Sequence, residues 1–444
     1  MEFMSGQDDK ISWLSSQLQR WVNEGIINTT TAESISKLYP QPQAKTSRPW
    51  ALIVFSGIGA VIVGLGVILL FAYNWHEMNK FTKLSVVFGS LILAHLIGIS
   101  LFIRSDRFKG VGEALTVLGT MLFGAGIWLI AQIYHIEEHF PNAFLLWGVG
   151  AMLMAWTMPS VIQAIIAAVL FTIWAGAESL GFHTATPSVF VFFLLLLPII
   201  YNRRSELLLV VILLAFVIST IFMVCIYTTD MLIVFRVLLS IFAIYAAAAM
   251  IQQKFTRFEF LAPVYFFLGM TGYFVVLYLL TFPDIIKELI RDKPHCDADI
   301  FYYWVIPLFF AVTSWLFVGW DVLKKNKLKY YSHELFLMPL MPFFLYYCSM
   351  SITRYLEWPA IAVFNLVFLA HVATMMAKGC MNAVLSQTVI GSLLLITLVI
   401  ARFIDLFDSL AVRGLIFVVV GILIFSQGFF YVRSKRKKAL QESK

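Results

Sequence analysis

The segment LLLVVILLAFVISTIFMVCI, Leu207 to Ile226, carries no charged side chain over its whole length. About 20 apolar residues are what one helix needs to cross the hydrocarbon core of a bilayer. Arg203 and Arg204 stand just before it, as cations do at the cytoplasmic end of a transmembrane helix. The same pattern recurs in both directions. Towards the N-terminus, spans are expected at Trp50 to Tyr73, Phe81 to Ile103, Gly112 to Tyr134, Asn142 to Trp156, Ser160 to Leu180 and Ser188 to Tyr201. Towards the C-terminus they are expected at Met231 to Ile251, Phe260 to Phe282, Ile300 to Val322, Leu335 to Met350, Trp358 to Met376, Ala383 to Ile400 and Leu410 to Val432. Those starting at Asn142, Ser188 and Leu335 are short. The expected fold class is all-α, a polytopic transmembrane helix bundle of about 14 spans.

Composition supports this. Of 444 residues, 61% are hydrophobic and 13% charged, and mean hydropathy is +0.87. A soluble domain carries roughly 25% charged residues. Bilayer lipid is therefore the expected solvent and membrane lipids the expected partners. The formal net charge of +7 invites a nucleic-acid reading, but the Lys and Arg residues flank apolar runs and form no single basic face. No nucleic-acid partner is expected.

The cations also orient the chain. With the N-terminus inside, 23 of the 32 Lys and Arg residues fall in internal segments and 6 in external loops, while Arg236, Arg402 and Arg413 lie in or at the membrane. An error of one helix would reverse the pattern downstream of it, so the alternation points to an even number of spans with both termini cytoplasmic. The first long apolar run starts only at Trp50, too late for the core of a cleavable signal peptide. Cys225, Cys296, Cys348 and Cys380 show no Cys-x-x-Cys spacing, which argues against structural zinc. Cys296 lies in an expected external loop, where pairing with Cys225 or Cys348 stays open.

Four regions follow. Residues 1–48 form a small cytoplasmic helical hairpin with a linker. Ile11, Leu14, Leu18, Trp21 and Val22 recur at helical spacing, Gly25 stops that helix, and Thr30 with Glu33 reads as a capping box for a second one. Residues 49–156 contain an apparent repeat: Gly59, Gly64 and Gly66 on the first span are matched by Gly119, Gly124 and Gly126 on the third. Close packing of two helices through small residues explains the same spacing without a repeat. Residues 157–432 are the remaining bundle, and 433–444 a basic cytoplasmic tail.

Within the glycine-rich region a resemblance emerges. Ala72-Tyr73-Asn74-Trp75, the run Leu118-Gly119 through Phe123-Gly124-Ala125-Gly126 to Gln132-Ile133-Tyr134-His135, and Leu146-Trp147 resemble bacterial membrane proteins of domain of unknown function 2157. Trp21, Gly25-Ile26-Ile27 and Tyr39 resemble that family's start. The resemblance covers about the first third of the chain. It implies a multi-pass protein of the bacterial inner membrane and supplies no activity.

Ionisable groups in a bilayer usually face protein or water and mark function. His95, Arg236 and His371 fall within spans, and Glu113, Glu178 and Asp321 near span ends. Each histidine reads as a satisfied core residue or a proton relay, and Arg236 as a snorkelling cation or one facing a cavity. Arg402, Asp405, Asp408 and Arg413 form a charged external turn, either an ion-pair network or the rim of a cavity. His135-Ile136-Glu137-Glu138-His139 has the form H-x-x-E-H of a zinc site, but at a membrane edge with Pro141 close behind, and no metal or cofactor is expected. The repeat instead places Asn74, Trp75, Gln132 and His135 at corresponding external ends of two helices, beside Glu137 and Glu138, as a polar ligand-binding site. Interfacial anchoring and amide packing explain the same residues without a ligand.

Three functions fit. The first is a transporter- or carrier-like protein with an external polar site for a small solute. The second is a non-catalytic sensor or envelope assembly factor. The third is a membrane enzyme acting on a lipid-linked envelope precursor, although no Walker loop, G-x-S-x-G motif or extended soluble catalytic domain is present. The balance leans away from an enzyme.

Overall fold

A computed structural model describes residues 14, 17–18, 20–38, 79–104, 108–136, 139–227, 231–253, 255, 258–291, 298–325, 337–350, 357–405 and 410–442. Every regular element among them is helical. Two units are distinguished, Met1–Val86 and Val87–Lys444.

In the first unit a helical segment ends at Gly25, whose φ of 72° lies in the left-handed region that glycine tolerates. The Ile26 N–H returns to the Trp21 carbonyl at 2.9 Å. The next helix, α1 (Thr29–Leu38), corrects the expected cap. Asn28 Oδ1 accepts the backbone N–H of Thr31 at 2.9 Å and the hydroxyl of Thr30 at 3.1 Å. Thr30 already lies inside the helix, so Asn28 is the N-cap. Its short carboxamide reaches the free first-turn N–H groups, and no capping box is needed.

The remaining helices are α2 (Lys80–Arg104), α3 (Lys109–Tyr134), α4 (Pro141–Thr157), α5 (Val161–Phe182), α6 (Ser188–Arg203), α7 (Glu206–Tyr227), α8 (Met231–Gln252), α9 (Ala262–Leu279), α10 (Pro283–Arg291), α11 (Ala298–Lys325), α12 (Leu340–Met350), α13 (Glu357–Met381), α14 (Leu385–Asp405) and α15 (Leu410–Glu442). Among the described residues nine helices are long and apolar enough to cross a membrane, and Ser188–Arg203 and Leu385–Ala401 are shorter apolar helices. The segment expected to span from Trp50 to Tyr73 lies outside the described residues. The short α10 falls where a loop was expected. Its apolar Ile286 is buried, while Lys287 stands over the Trp358 ring at 5.3 Å.

Helix α8 organises the second unit. In its apolar window 67% of residues are buried, against 11% for α2 and 6% for the described window of α15. Helices apolar on every side are found where both sides are covered, and α8 serves two cores. Val234, Val237, Ile241 and Tyr245 join the cluster built from α4 to α7. Leu239, Ala243, Ala246 and Met250 join the cluster with α9, α11, α13 and α14. Polar bonds tie the helices together: Trp315 Nε1 donates to the Ala243 carbonyl at 2.8 Å and Tyr245 Oη to that of Leu213 at 3.0 Å.

The glycines of α3 pack against its two neighbours. A Cβ on Gly119 would lie 2.7 Å from His95 Nε2 of α2, and one on Gly124 would lie 2.1 Å from Trp147 Cε2 of α4. Gly98 and Gly112 bring the backbones of α2 and α3 into contact, a Cβ on Gly112 lying 2.6 Å from the Gly98 carbonyl. Trp147 Nε1 also donates to the Thr120 carbonyl at 2.8 Å. Ring and backbone therefore occupy space that any larger residue would close.

Two sets of turns define opposite ends of this region. Arg203 Nε donates to the Pro159 carbonyl at 2.5 Å, placing the α4–α5 turn beside the end of α6. Ser160 caps α5 there, accepting the Gln163 N–H and donating to Glu113 Oε1 at 2.5 Å. The α3–α4 and α5–α6 connections lie at the other end.

Candidate functional site

The end of α5 closes on itself. His183 takes the left-handed conformation at φ 53°, and its N–H returns to the Glu178 carbonyl. That C-cap bends the chain and brings Thr184 back over the last turn. Its backbone N–H reaches the same carbonyl at 3.2 Å, and its hydroxyl donates to Glu178 Oε2 at 2.5 Å. Trp174, one turn earlier on α5, donates Nε1–H to Glu178 Oε1 at 3.2 Å.

The partner comes from the α3–α4 connection. Pro141 opens α4, a position that suits its fixed φ. Two residues before it, His139 extends to the end of α5. Its Nε2 lies 2.7 Å from Glu178 Oε1, with side chains 33% and 8% exposed respectively. The His139 ring packs at 4.0 Å from that of Phe182, which Phe140 also contacts at 5.5 Å. A carboxylate withdrawn from water needs donors in place of its hydration, and Glu178 has three.

This arrangement has a defined chemistry. With Glu178 ionised, His139 donates through Nε2 and leaves Nδ1 as the free position of the ring. A carboxylate behind an imidazole orients the ring and fixes which nitrogen faces it. The pair can therefore offer a fixed ring nitrogen to a ligand where α3 to α6 meet the surface.

The residues singled out from sequence fare differently. Gln132 and His135 are exposed at the end of α3, the same end as His139. His135 is itself a left-handed C-cap, at φ 53°. The helix stops there, so His135 and His139 do not occupy consecutive turns of one helix as a zinc motif requires. Among the described residues no group of three or more His, Cys, Asp and Glu side chains has an arrangement suited to a metal. Asn74, Trp75, Glu137, Glu138 and Asp408 lie outside the described residues, as do the side chains of Arg402, Asp405 and Arg413.

Within the spans, Tyr273 Oη stands 3.3 Å from His371 Nε2 in an aromatic setting that includes Phe274. This favours the satisfied core histidine. Arg236 is only 5% exposed, so it is enclosed by protein rather than snorkelling. His95 differs: its ring fills the space left by Gly119, and its Nδ1 is buried without a hydrogen-bond partner. Cys225 is a free thiol, and Cys296 lies outside the described residues.

Sequence reasoning named Glu178 and His139 separately without joining them. The usable signal was topological. Alternating spans put the end of the third, the start of the fourth and the end of the fifth on one side of the membrane.

Residues 19–164, a third of the chain, match the family described as "Predicted membrane protein (DUF2157)". The matched stretch includes Gly119, Gly124, Trp147 and His139 and stops before Glu178. No curated protein and no solved structure matches the chain.

Proposed function

We propose that the chain is a carrier-like protein of the bacterial inner membrane, multi-pass with both termini cytoplasmic, that binds a small polar solute at its external face and uses the His139–Glu178 pair as its proton-responsive element. The observation that carries this reading is a buried carboxylate held by three donors, one of them a partly exposed imidazole, at the end of α5. Protonating His139 or Glu178 changes which of these bonds persist. A local change of that kind is what couples a proton to the opening of a site. Gln132 and His135, exposed nearby on the chain, are the side chains proposed to contact the solute, together with Asn74, Trp75 and Glu138. The basic segments at the opposite end, among them Arg203 and Arg204, support the cytoplasmic assignment of that end.

The test uses full-length protein in liposomes on a solid-supported membrane, challenged at several pH values with carboxylates, amines, sugars and amino acids. The expected result is a pH-dependent current with one class, abolished by Glu178→Gln and His139→Gln at unchanged protein yield. Wild-type currents in both variants would refute the role of the pair. No current with any class, together with pH-dependent protease accessibility of the N-terminal hairpin, would favour the sensor reading.

A further inference from the structure

A groove of about 300 Å³ lies between α14 and α15, its walls including Thr388, Ser392, Ile424, Gln427, Gly428 and Tyr431. Four of these carry polar groups, and those of Thr388, Ser392 and Gln427 are engaged with one another or with the backbone, so the groove presents mainly hydrocarbon. Gln427 Nε2 donates to the Thr388 carbonyl at 3.1 Å, Ser392 Oγ donates to Gln427 Oε1 at 2.8 Å, and the Thr388 hydroxyl donates to the Val384 carbonyl at 3.0 Å. Gly428 leaves the floor open, with nothing within 4 Å of where a Cβ would stand. The exposed Val389 and Leu393 form a lip towards the bilayer.

The α15 face that lines the groove then changes character. Ile424, Gln427, Gly428 and Tyr431 follow helical spacing, and Lys435 is the next residue in that row, four beyond Tyr431. Arg433, Lys435 and Arg436 are exposed, and Lys437 and Lys438 follow in sequence. No Asp or Glu occurs from Leu410 to Leu440 on α15, or from Trp358 to Ile404 on α13 and α14, the helices packed against it. Along about 10 Å of helix from Ile424 to Tyr431 the surface is apolar. A phenol and then a cluster of cations follow, the order of an acyl chain, a glycerol backbone and a phosphate.

We propose that this groove binds one anionic phospholipid, with an acyl chain between α14 and α15 and its phosphate at Lys435 and Arg436. The occupant is a lipid because exposed apolar side chains rim the groove and the polar atoms of Thr388, Ser392 and Gln427 are already bonded. It is anionic because the head-group end carries the exposed cations Arg433, Lys435 and Arg436, with Lys437 and Lys438 after them in sequence, against the one acid of α15, Glu442. This site is separate from the His139–Glu178 pair and independent of the transport reading.

The test is native mass spectrometry of the full-length protein after delipidation and titration with phosphatidylglycerol or phosphatidylethanolamine. Wild type is expected to retain one phosphatidylglycerol in preference to phosphatidylethanolamine. Lys435→Gln and Arg436→Gln should each weaken retention about fivefold, the effect of one cation near an anionic surface. Gly428→Phe fills the groove and should abolish retention, whereas Ile422→Phe, on the opposite exposed face of α15, should not. Equal retention of the two lipids, or undiminished phosphatidylglycerol in folded Gly428→Phe, would overturn the proposal. If Gly428→Phe does not fold, unchanged affinity in the double cation variant would overturn it instead.

Discussion

His139 and Glu178 stand 39 residues apart in the chain and 2.7 Å apart in the fold. The bond ties the α3–α4 connection to the last turn of α5, and so joins the segment that matches the membrane-protein family to the bundle that follows it. Two further donors converge on the same carboxylate, Trp174 and Thr184, so its removal affects three groups at once.

Glu178→Ala should therefore destabilise the protein by about 2–4 kcal/mol, because buried donors without acceptors are costly. Glu178→Gln keeps an acceptor oxygen and should lose about half as much. His139→Ala should cost at most about 1 kcal/mol, since its side chain is a third exposed and water screens the pair. Unfolding of purified protein in mixed micelles, followed by Trp fluorescence, gives this ranking. A His139 variant less stable than Glu178→Ala would contradict it.

The glycine contacts predict a different pattern. A Cβ at Gly124 would overlap the Trp147 ring at 2.1 Å, and that ring also donates to Thr120. Gly124→Ala should then cost about 1–3 kcal/mol by overpacking, and Gly124→Leu should lower folded yield sharply. Gly421 has nothing within 4 Å of its Cβ position, so Gly421→Ala should be neutral or slightly stabilising through helix propensity. Size-exclusion yield and thermal midpoints of the two alanine variants test this, and equal midpoints would remove the seam as a determinant.

Much of the fold was legible because hydropathy reports length directly. The span expected from Leu207 to Ile226 is α7, Glu206–Tyr227, and that from Met231 to Ile251 is α8, Met231–Gln252. What escaped were features decided by one or two side chains. Helix α10 was read as a loop because Asp284, Lys287, Glu288 and Arg291 make Pro283–Arg291 too polar for a span, while Ile286 and Ile285 pack it against the core. The candidate site was legible only in parts. Sequence shows that His139 and Glu178 are ionisable groups near span ends. Their pairing depends on how α4 and α5 pack, which no periodicity records.

The N-terminal unit offers a compact check on cap assignment. Asn28 Oδ1 holds the first turn of α1 through the Thr31 N–H, and Glu33 is exposed. Asn28→Ala should reduce helicity of the hairpin at a cost of about 1 kcal/mol, and Glu33→Gln should leave it unchanged. Hydrogen exchange of the Thr30 and Thr31 amides in the full-length protein distinguishes the two caps. Faster exchange in Glu33→Gln but not in Asn28→Ala would restore the capping box.

Orientation in the membrane supplies the final prediction, and the fold makes it stricter than a list of loops. The His139–Glu178 bond places the α3–α4 and α5–α6 connections at one end. The Arg203–Pro159 bond places the α4–α5 and α6–α7 connections together at the other. These pairings hold whichever end faces the cytoplasm. Fusions of a paired alkaline phosphatase and fluorescent protein reporter after His135 and after His183 must therefore give the same signal, and fusions after Pro159 and Arg204 the opposite one. The cation distribution adds the proposed sign, which keeps Arg203, Arg204 and the basic tail on the cytoplasmic side. Reporters after Arg204, after Lys327 and in the tail should fluoresce, and those after His135, His183 and Lys293 should give phosphatase activity. A uniform inversion would reverse the proposed orientation and leave the fold intact. A mismatch between His135 and His183 would instead be incompatible with the contact between His139 and Glu178.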